Sequence, residues 1–355
     1  MNKLFLLLVL MVMLGCKTKR NQNTDLYWKE DINNVILCGD SQLNSDAFNL
    51  YISQNGNDKN SGLIESEPIK SLSKAQQVLI LNQPKSDIQI NILPGVYLNQ
   101  SITWSFNNGF CIKFTALHHT DSIPIFDGNG KGFWFRYTGN TGKPSNLIFN
   151  RIKIRNYKQG IAINGNREIL RGWNGSNFFH NMIFEKIGSL YSSDKSPAYS
   201  ALGLVNSRNN FIDNCFFINI ENEELNDADI LMHSIYFAHN SSDNVVTNSF
   251  FINNSGDPVR FRDNSNNNVI TKCVFINSGS HALASEWYCS SETTSKPCTK
   301  NSIELVSKNN IFVSNKFGTG YNQANIDLIR TFGSSNDFKQ EIRIITKRNK
   351  CIIAK

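Results

Sequence analysis

The 355-residue sequence predicts an all-β chain wound into a single-stranded parallel β-helix, on three observations. Charged residues make up only 18% while Asn, Ser, Phe and Ile are plentiful, a mix that suits strands joined by polar turns better than helices. A motif that opens with Asn and an apolar pair recurs along the chain. Seven residues after that Asn it usually places Phe, giving the column Phe184, Phe217, Phe251, Phe275 and Phe317.

The copies are "NFFHNMIFEKIG" from Asn177, "NFIDNCFFINIE" from Asn210, "NVVTNSFFINNS" from Asn244 and "NVITKCVFINSG" from Asn268. "NLIFNRIKIRNY" from Asn146 precedes them as a degenerate copy, and "NIFVSNKFGTG" from Asn310 continues the series. Starts are spaced 31, 33, 34, 24 and 42 residues apart, which means a constant coil with variable loops. No unit buries its apolar side alone, but stacked units bury a continuous core. Neighbouring strands sit about 4.8 Å apart, so equivalent residues form ladders, and Asn219, Asn253 and Asn277 are expected to bond amide to amide. A propeller needs about four strands per blade at a steadier period.

The elements follow in order. Lys3 and the apolar run Leu4 to Leu14 read as a targeting segment, too short to span a bilayer in the usual way. The run ends in "MLGC", so residues 1–15 read as a lipoprotein signal and Cys16 as the lipidated residue, with an ordinary secretory signal as the alternative. Residues 16–47 are polar and read as a tether. The β-helix is expected over 48–345, its N-terminal part over 48–100 and its repeat coils over about 146–330, with 346–355 as a tail. Within it, Leu50–Ser53 reads as a strand, Ser71–Leu81 as a short helix, and "IQINILPGVYLNQSITW" as two strands broken at Pro94-Gly95.

"YISQNGNDKNSG", "PIKSLSKAQQVL" and "ILPGVY", followed by such coils, resemble the right-handed β-helix proteins of the pectate-lyase-like superfamily. The resemblance runs from about residue 50 to about residue 330. It implies a right-handed solenoid whose short helix caps the open N-terminal end, and an exported protein acting on polysaccharide as lyase, hydrolase, epimerase, esterase or non-catalytic binder. Asn55, Asn57 and Asp58 then belong to a cap turn rather than a calcium loop. The Asp-Pro-His-Asp motif of β-helix mannuronan epimerases is missing, since "DPVR" lacks the His.

Three coils carry the candidate site. Laid in register, "MHSIYFAHNS", "GDPVRFRDNS" and "SHALASEWYC" put Ile235, Val259 and Leu283 in one inward column and Phe237, Phe261 and Ser285 in the next. The outward columns become Tyr236/Arg260/Ala284 and Ala238/Arg262/Glu286, flanked by His233/Asp257/His281 and His239/Asp263/Trp287. Titratable groups so gathered within about 10 Å make the best site in the chain. Arg262 with Glu286 as a surface ion pair, and Asp257 as a turn-former before Pro258, are the plain alternatives.

For a lyase, Arg260 or Arg262 would bind a uronate carboxylate while His233, His239 or His281 serves as base or acid. For a hydrolase, two of Asp257, Asp263 and Glu286 would face each other across the bond. Tyr236, Asp263, Trp287, Arg171 and Trp173 are expected to bind substrate. Asp227 and Asp229 in "ENEELNDAD" are the candidates for a metal, with Ca²⁺ the ion. Cys289 and Cys298 bracket a polar loop that a disulfide would close, whereas Cys215 and Cys273 read as buried thiols.

The net charge of +7 falls to +6 once Lys3 leaves with the signal, and no basic run interleaves with aromatics. Nucleic acid is therefore not an expected partner. The expectation is a monomeric bacterial lipoprotein of the outer membrane, anchored at Cys16 and acting as a lyase on an anionic polysaccharide. A glycoside hydrolase or a glycan-binding surface protein is the alternative.

Overall fold

The computed structural model describes residues 43, 46–117, 122–224, 229–290, 304–332 and 344–352. The expected signal, the Cys16 anchor, most of the tether, Cys298 and Asp227 lie outside the described residues. The chain winds as a right-handed parallel β-helix in which strands pair with their counterparts one coil on. One face is a ten-stranded sheet running from Phe48–Ile52 to Ile344–Lys347. The other two faces join into one 15-stranded sheet, because the long strands Ile125–Thr138 and Lys153–Asn164 turn the corner between them. Lys153 to Tyr157 pair with the Ile183–Ile187 strand, and Ile161 to Asn164 pair with Ser200–Val205.

The phenylalanine column forms as expected: Phe184, Phe217, Phe251, Phe275 and Phe317 stand in consecutive register. The first four rings stack at 4.8, 5.0 and 4.5 Å. Each phenyl side chain so buried contributes roughly 2 kcal/mol. The Asn219–Asn253–Asn277 ladder also forms, with amide bonds of 2.9 and 2.8 Å. All three residues hold positive φ, which Asn tolerates better than other side chains.

A second ladder runs through the residues that open the motif. The amides of Asn177, Asn210, Asn244 and Asn268 each donate to the Asn one coil on, at 2.7–2.9 Å, ending at Asn310. Each accepting oxygen also takes the backbone N–H of the coil before, so the buried corner is satisfied throughout.

Among the described residues the one α-helix is Leu72–Asn82, which buries Leu72, Ala75, Val78 and Leu79. Ser71 caps it by accepting from the Lys74 N–H. Asp58 accepts from the N–H groups of Lys70 and Ser71 and from the Ser71 hydroxyl, so the Asn-rich segment is a cap turn. "IQINILPGVYLNQSITW" makes three strands rather than two: Ile88–Ile92, Val96–Leu98 and Ile102–Trp104. The extra break falls at Asn99, which turns the chain at φ 58°. At the far end, Ile344–Lys347 and Lys350–Cys351 extend the sheets into the segment read as a tail. Cys215 and Cys273 are buried free thiols, whose burial pushes their pKa up, to about 12 at Cys273. Cys111 and Cys289 are disulfide-bonded.

Candidate functional site

The face that carries the charged residues is built from the strands Ser200–Val205, His233–Ala238, Val259–Arg262, Ala282–Trp287 and Asp327–Thr331, stacked in that order. Ile235 and Phe237 pair with Val259 and Phe261, all four fully buried. The period of two then turns Tyr236, Arg260 and Arg262 outward.

The next coil corrects the expected register by one residue. Val259 pairs with Ala284, Arg260 with Ser285, Phe261 with Glu286 and Arg262 with Trp287. Leu283 takes the opposite phase from Val259 yet is itself buried. "ALASEW" has small residues on both phases, so apolar alternation alone does not fix its pairing. The anchor is Asp257, whose Oδ1 accepts from the N–H groups of His281 and Ala282 at 3.1 and 2.9 Å. Two expectations fall with the register. Glu286 points inward behind Phe261 and is 0% exposed, so it is no outward carboxylate and no surface partner of Arg262. Ser285 points outward beside Arg260 rather than into the core.

Two clusters result. The first joins His233, Tyr236, Asp257 and Arg260. Asp257 is buried, and Arg260 Nη2 reaches its Oδ2 at 3.5 Å. Burial alone would raise the Asp257 carboxyl. The Arg260 charge and the Ala282 N–H outweigh it and hold the carboxyl below its ordinary value. His233 Nδ1 lies 2.7 Å from the Asp257 carbonyl oxygen, which can only accept. Nδ1 therefore carries the proton and Nε2 keeps its lone pair. Burial, seconded by the Arg260 charge, pushes the His233 pKa well down and keeps the ring neutral. Its ring meets Tyr236 edge-on at 5.4 Å. Arg260 Nε is buried with no hydrogen-bond partner.

The second cluster centres on Glu304, which no spacing in the sequence singled out. Arg262 binds both its oxygens, Nε to Oε2 at 2.8 Å and Nη2 to Oε1 at 2.7 Å. Arg167 adds a bond of 3.2 Å and the Cys289 N–H one of 2.7 Å. Arg262 Nη1 donates to Tyr236 Oη at 3.1 Å, and its guanidinium lies 4.4 Å over the Trp287 ring. Burial works against the Arg262 charge, but Glu304 and Tyr236 more than offset it and raise its pKa. His239 Nδ1 bonds Asp263 Oδ2 at 2.8 Å. That bond and the Leu305 N–H hold the Asp263 carboxyl low against its burial.

His239, Asp263 and Glu304 place ligand atoms within 4.8 Å of one another. A cation there would sit against the Arg262 and Arg167 guanidiniums that already fill the Glu304 oxygens, so the residues fit an ion-pair network better than a metal. Asp229 is half-buried in the turn Asp229–Leu231. His281 lies at the edge of the first cluster, with Nδ1 2.9 Å from the Ser280 hydroxyl. Arg171 is exposed and Trp173 half-buried at a corner beside Gly142, and among the described residues no bond joins them to either cluster. From their loop it is Arg167 that reaches the site.

No family model matches the chain, and no curated protein does. Solved structures do. A rhamnogalacturonan lyase aligns with 76% of this chain and 68% of its own at TM-score 0.57 and 15% identity. The pectate lyase Pel9A aligns with 88% of this chain and 79% of its own at TM-score 0.48 and 13% identity. An alginate lyase from Paenibacillus sp. str. FPU-7 aligns with 80% and 94% at TM-score 0.46 and 12% identity. At such identities the likeness is one of fold, and the first of the three carries it.

Proposed function

We propose that this chain is a polysaccharide-active β-helix protein that cleaves a uronic-acid polysaccharide by β-elimination on the face of Tyr236 and Arg260. The observation that carries the reading is His233. Its Nδ1 proton is spent on the Asp257 carbonyl and its ring is held neutral, so Nε2 is a base beside an incompletely satisfied arginine.

In the proposed step, Nε2 takes the proton from C5 of the uronate while Arg260 stabilises the charge that develops on the carboxylate. The C4–oxygen bond breaks as the C4–C5 double bond forms. Tyr236 Oη accepts from Arg262 and so keeps its own hydrogen to give to the departing oxygen. The fold likeness to polysaccharide lyases supports the substrate class. Export, anchoring at Cys16 and a monomeric state belong to the same proposal.

Hydrolysis is less well supported. Asp257, Asp263 and Glu304 are each held by internal partners, and Glu286 faces the core. That same saturation favours glycan binding without chemistry as the second reading. The test is incubation of the protein with uronic-acid and neutral polysaccharides, with calcium or with chelator. Ultraviolet absorbance of unsaturated product and reducing ends are followed in parallel. Both signals should rise, and His233→Ala should lower the rate by about 10²–10⁴-fold. Reducing ends without unsaturated product would replace elimination by hydrolysis. Retention on a polysaccharide gel without either signal would leave a binding protein.

A further inference from the structure

We infer that Arg260, Ser285 and Arg330 form an oxyanion subsite for an acidic sugar unit, with the Phe332 ring as its floor. The inference deepens the proposed function and rests on the same face of the helix. Register fixes the order: Arg260 pairs with Ser285, and Ser285 with Arg330, one outward side chain per strand. Arg260 and Arg330 thus stand two strand steps, roughly 10 Å, apart, with a hydroxyl between them. Both guanidiniums lie over Phe332, at 5.6 and 4.4 Å from the ring centre.

Two like charges held this close repel, and Arg330 adds to the burial that lowers the Arg260 pKa. Among the described residues no carboxylate forms an ion pair with Arg330, and Asp257 gives Arg260 only its 3.5 Å contact. Arg260 Nε is buried without a hydrogen-bond partner, while the Ser285 hydroxyl beside it faces Asp257 and helps that carboxyl stay charged. A buried donor left unmade costs about 1–3 kcal/mol, so Arg260 Nε asks for an acceptor, with the Ser285 hydroxyl adjacent in register to share it. The two guanidiniums offer donors and positive charge only, and the hydroxyl adds a further donor between them. The ligand chemistry they suit is a carboxylate or sulfate oxyanion, which arginine binds with paired donors. The aromatic floor suits the ring that carries it. Arg262, though equally outward, is excluded because Glu304 already occupies its fork.

The test is isothermal titration of the full chain with oligogalacturonate, oligomannuronate and oligoglucuronate, their carboxyl-reduced neutral counterparts, and a sulfated oligosaccharide. At least one charged oligomer should bind, its neutral counterpart much more weakly, and salt should weaken the charged complex. Arg330→Gln should weaken charged binding about tenfold or more, and Arg330→Lys should fall between the two. Ser285→Ala should weaken it severalfold. The uronate and sulfate arms say which oxyanion the site takes. Circular dichroism and thermal melting check that each variant is folded. Equal binding of charged oligomer by Arg330→Gln and the parent chain overturns the subsite, as does equal binding of charged and neutral sugars or no charged ligand bound. The two claims separate cleanly. Binding that depends on Arg330 but yields no unsaturated product removes the lyase and keeps the subsite. Unsaturated product with a KM untouched by Arg330→Gln keeps the lyase and removes the subsite.

Discussion

Asp257 shows how one side chain organises the site. Its carboxylate fixes the start of the next strand, faces Arg260, and leaves its carbonyl to orient His233. The pH behaviour follows. His233 has a folded pKa below its ordinary value of about 6.5, so between the two only the unfolded chain takes the proton. Stability should therefore begin to fall as pH drops below about 6.5. The lowered carboxyls of Asp257 and Asp263 add their loss at lower pH, below about 3.9 and through their folded values. Activity should behave differently: kcat/KM should stay level as pH falls through about 6.5, since the folded base is still neutral there. A rate that halves near that pH would count against His233 as the base. The arginines were legible because strand alternation puts them outward, and His233 and Asp257 because they stack at the strand beginnings of adjacent coils. Glu286 was misplaced because its strand lacks a clear apolar phase. Glu304 was missed because the sequence before it has no hydrophobic periodicity to give it a register.

The two asparagine ladders differ in what holds them. Asn244 is fully buried and serves four bonds: it accepts from the Asn210 N–H and amide and donates to Asn268 and Ser207. Asn244→Ala strands the Asn210 donors without water, and a loss of about 3 kcal/mol is expected in denaturant unfolding. Asn253 is half-buried and holds φ 56°, so Asn253→Gly should cost much less, the freer backbone offsetting the lost amide. Similar losses at the two positions would contradict this division. The repeat, the Phe column and the turn ladder were readable because each recurs at a fixed offset. The inner ladder was half-read: Asn244 and its equivalents marked where the motif opens, but a polar residue beside an apolar pair does not reveal that it points inward. The break at Asn99 was hidden because a single residue in the left-handed region leaves no periodic trace.

A solenoid of this kind is stabilised coil against coil, so protection should follow the stack rather than the chain as a whole. Amide exchange should be slowest in the coils of Phe217, Phe251 and Phe275, whose rings stack on both sides or on buried neighbours. The strands Asp327–Thr331 and Ile344–Lys347, with no fully buried residue, should exchange earlier. Uniform protection from end to end would argue for one global unfolding unit instead. The fold as a whole was legible because the same physics is restated in every coil; the site was legible only in part because it depends on where the coils differ. Those differences have a pattern. The inner asparagines are 33, 34, 24 and 42 residues apart, while the turns at Asn219, Asn253 and Asn277 keep one form. The added lengths enter on either side of the face that carries the site, before Ser200–Val205 and His233–Ala238 and after Ala282–Trp287, on the way to Glu304. Insertion and deletion thus fall at the two corners that flank this face, and the turns between the other two strands of each coil stay invariant. An evolving chain of this design can exchange what it recognises, loop by loop, without renegotiating how it folds.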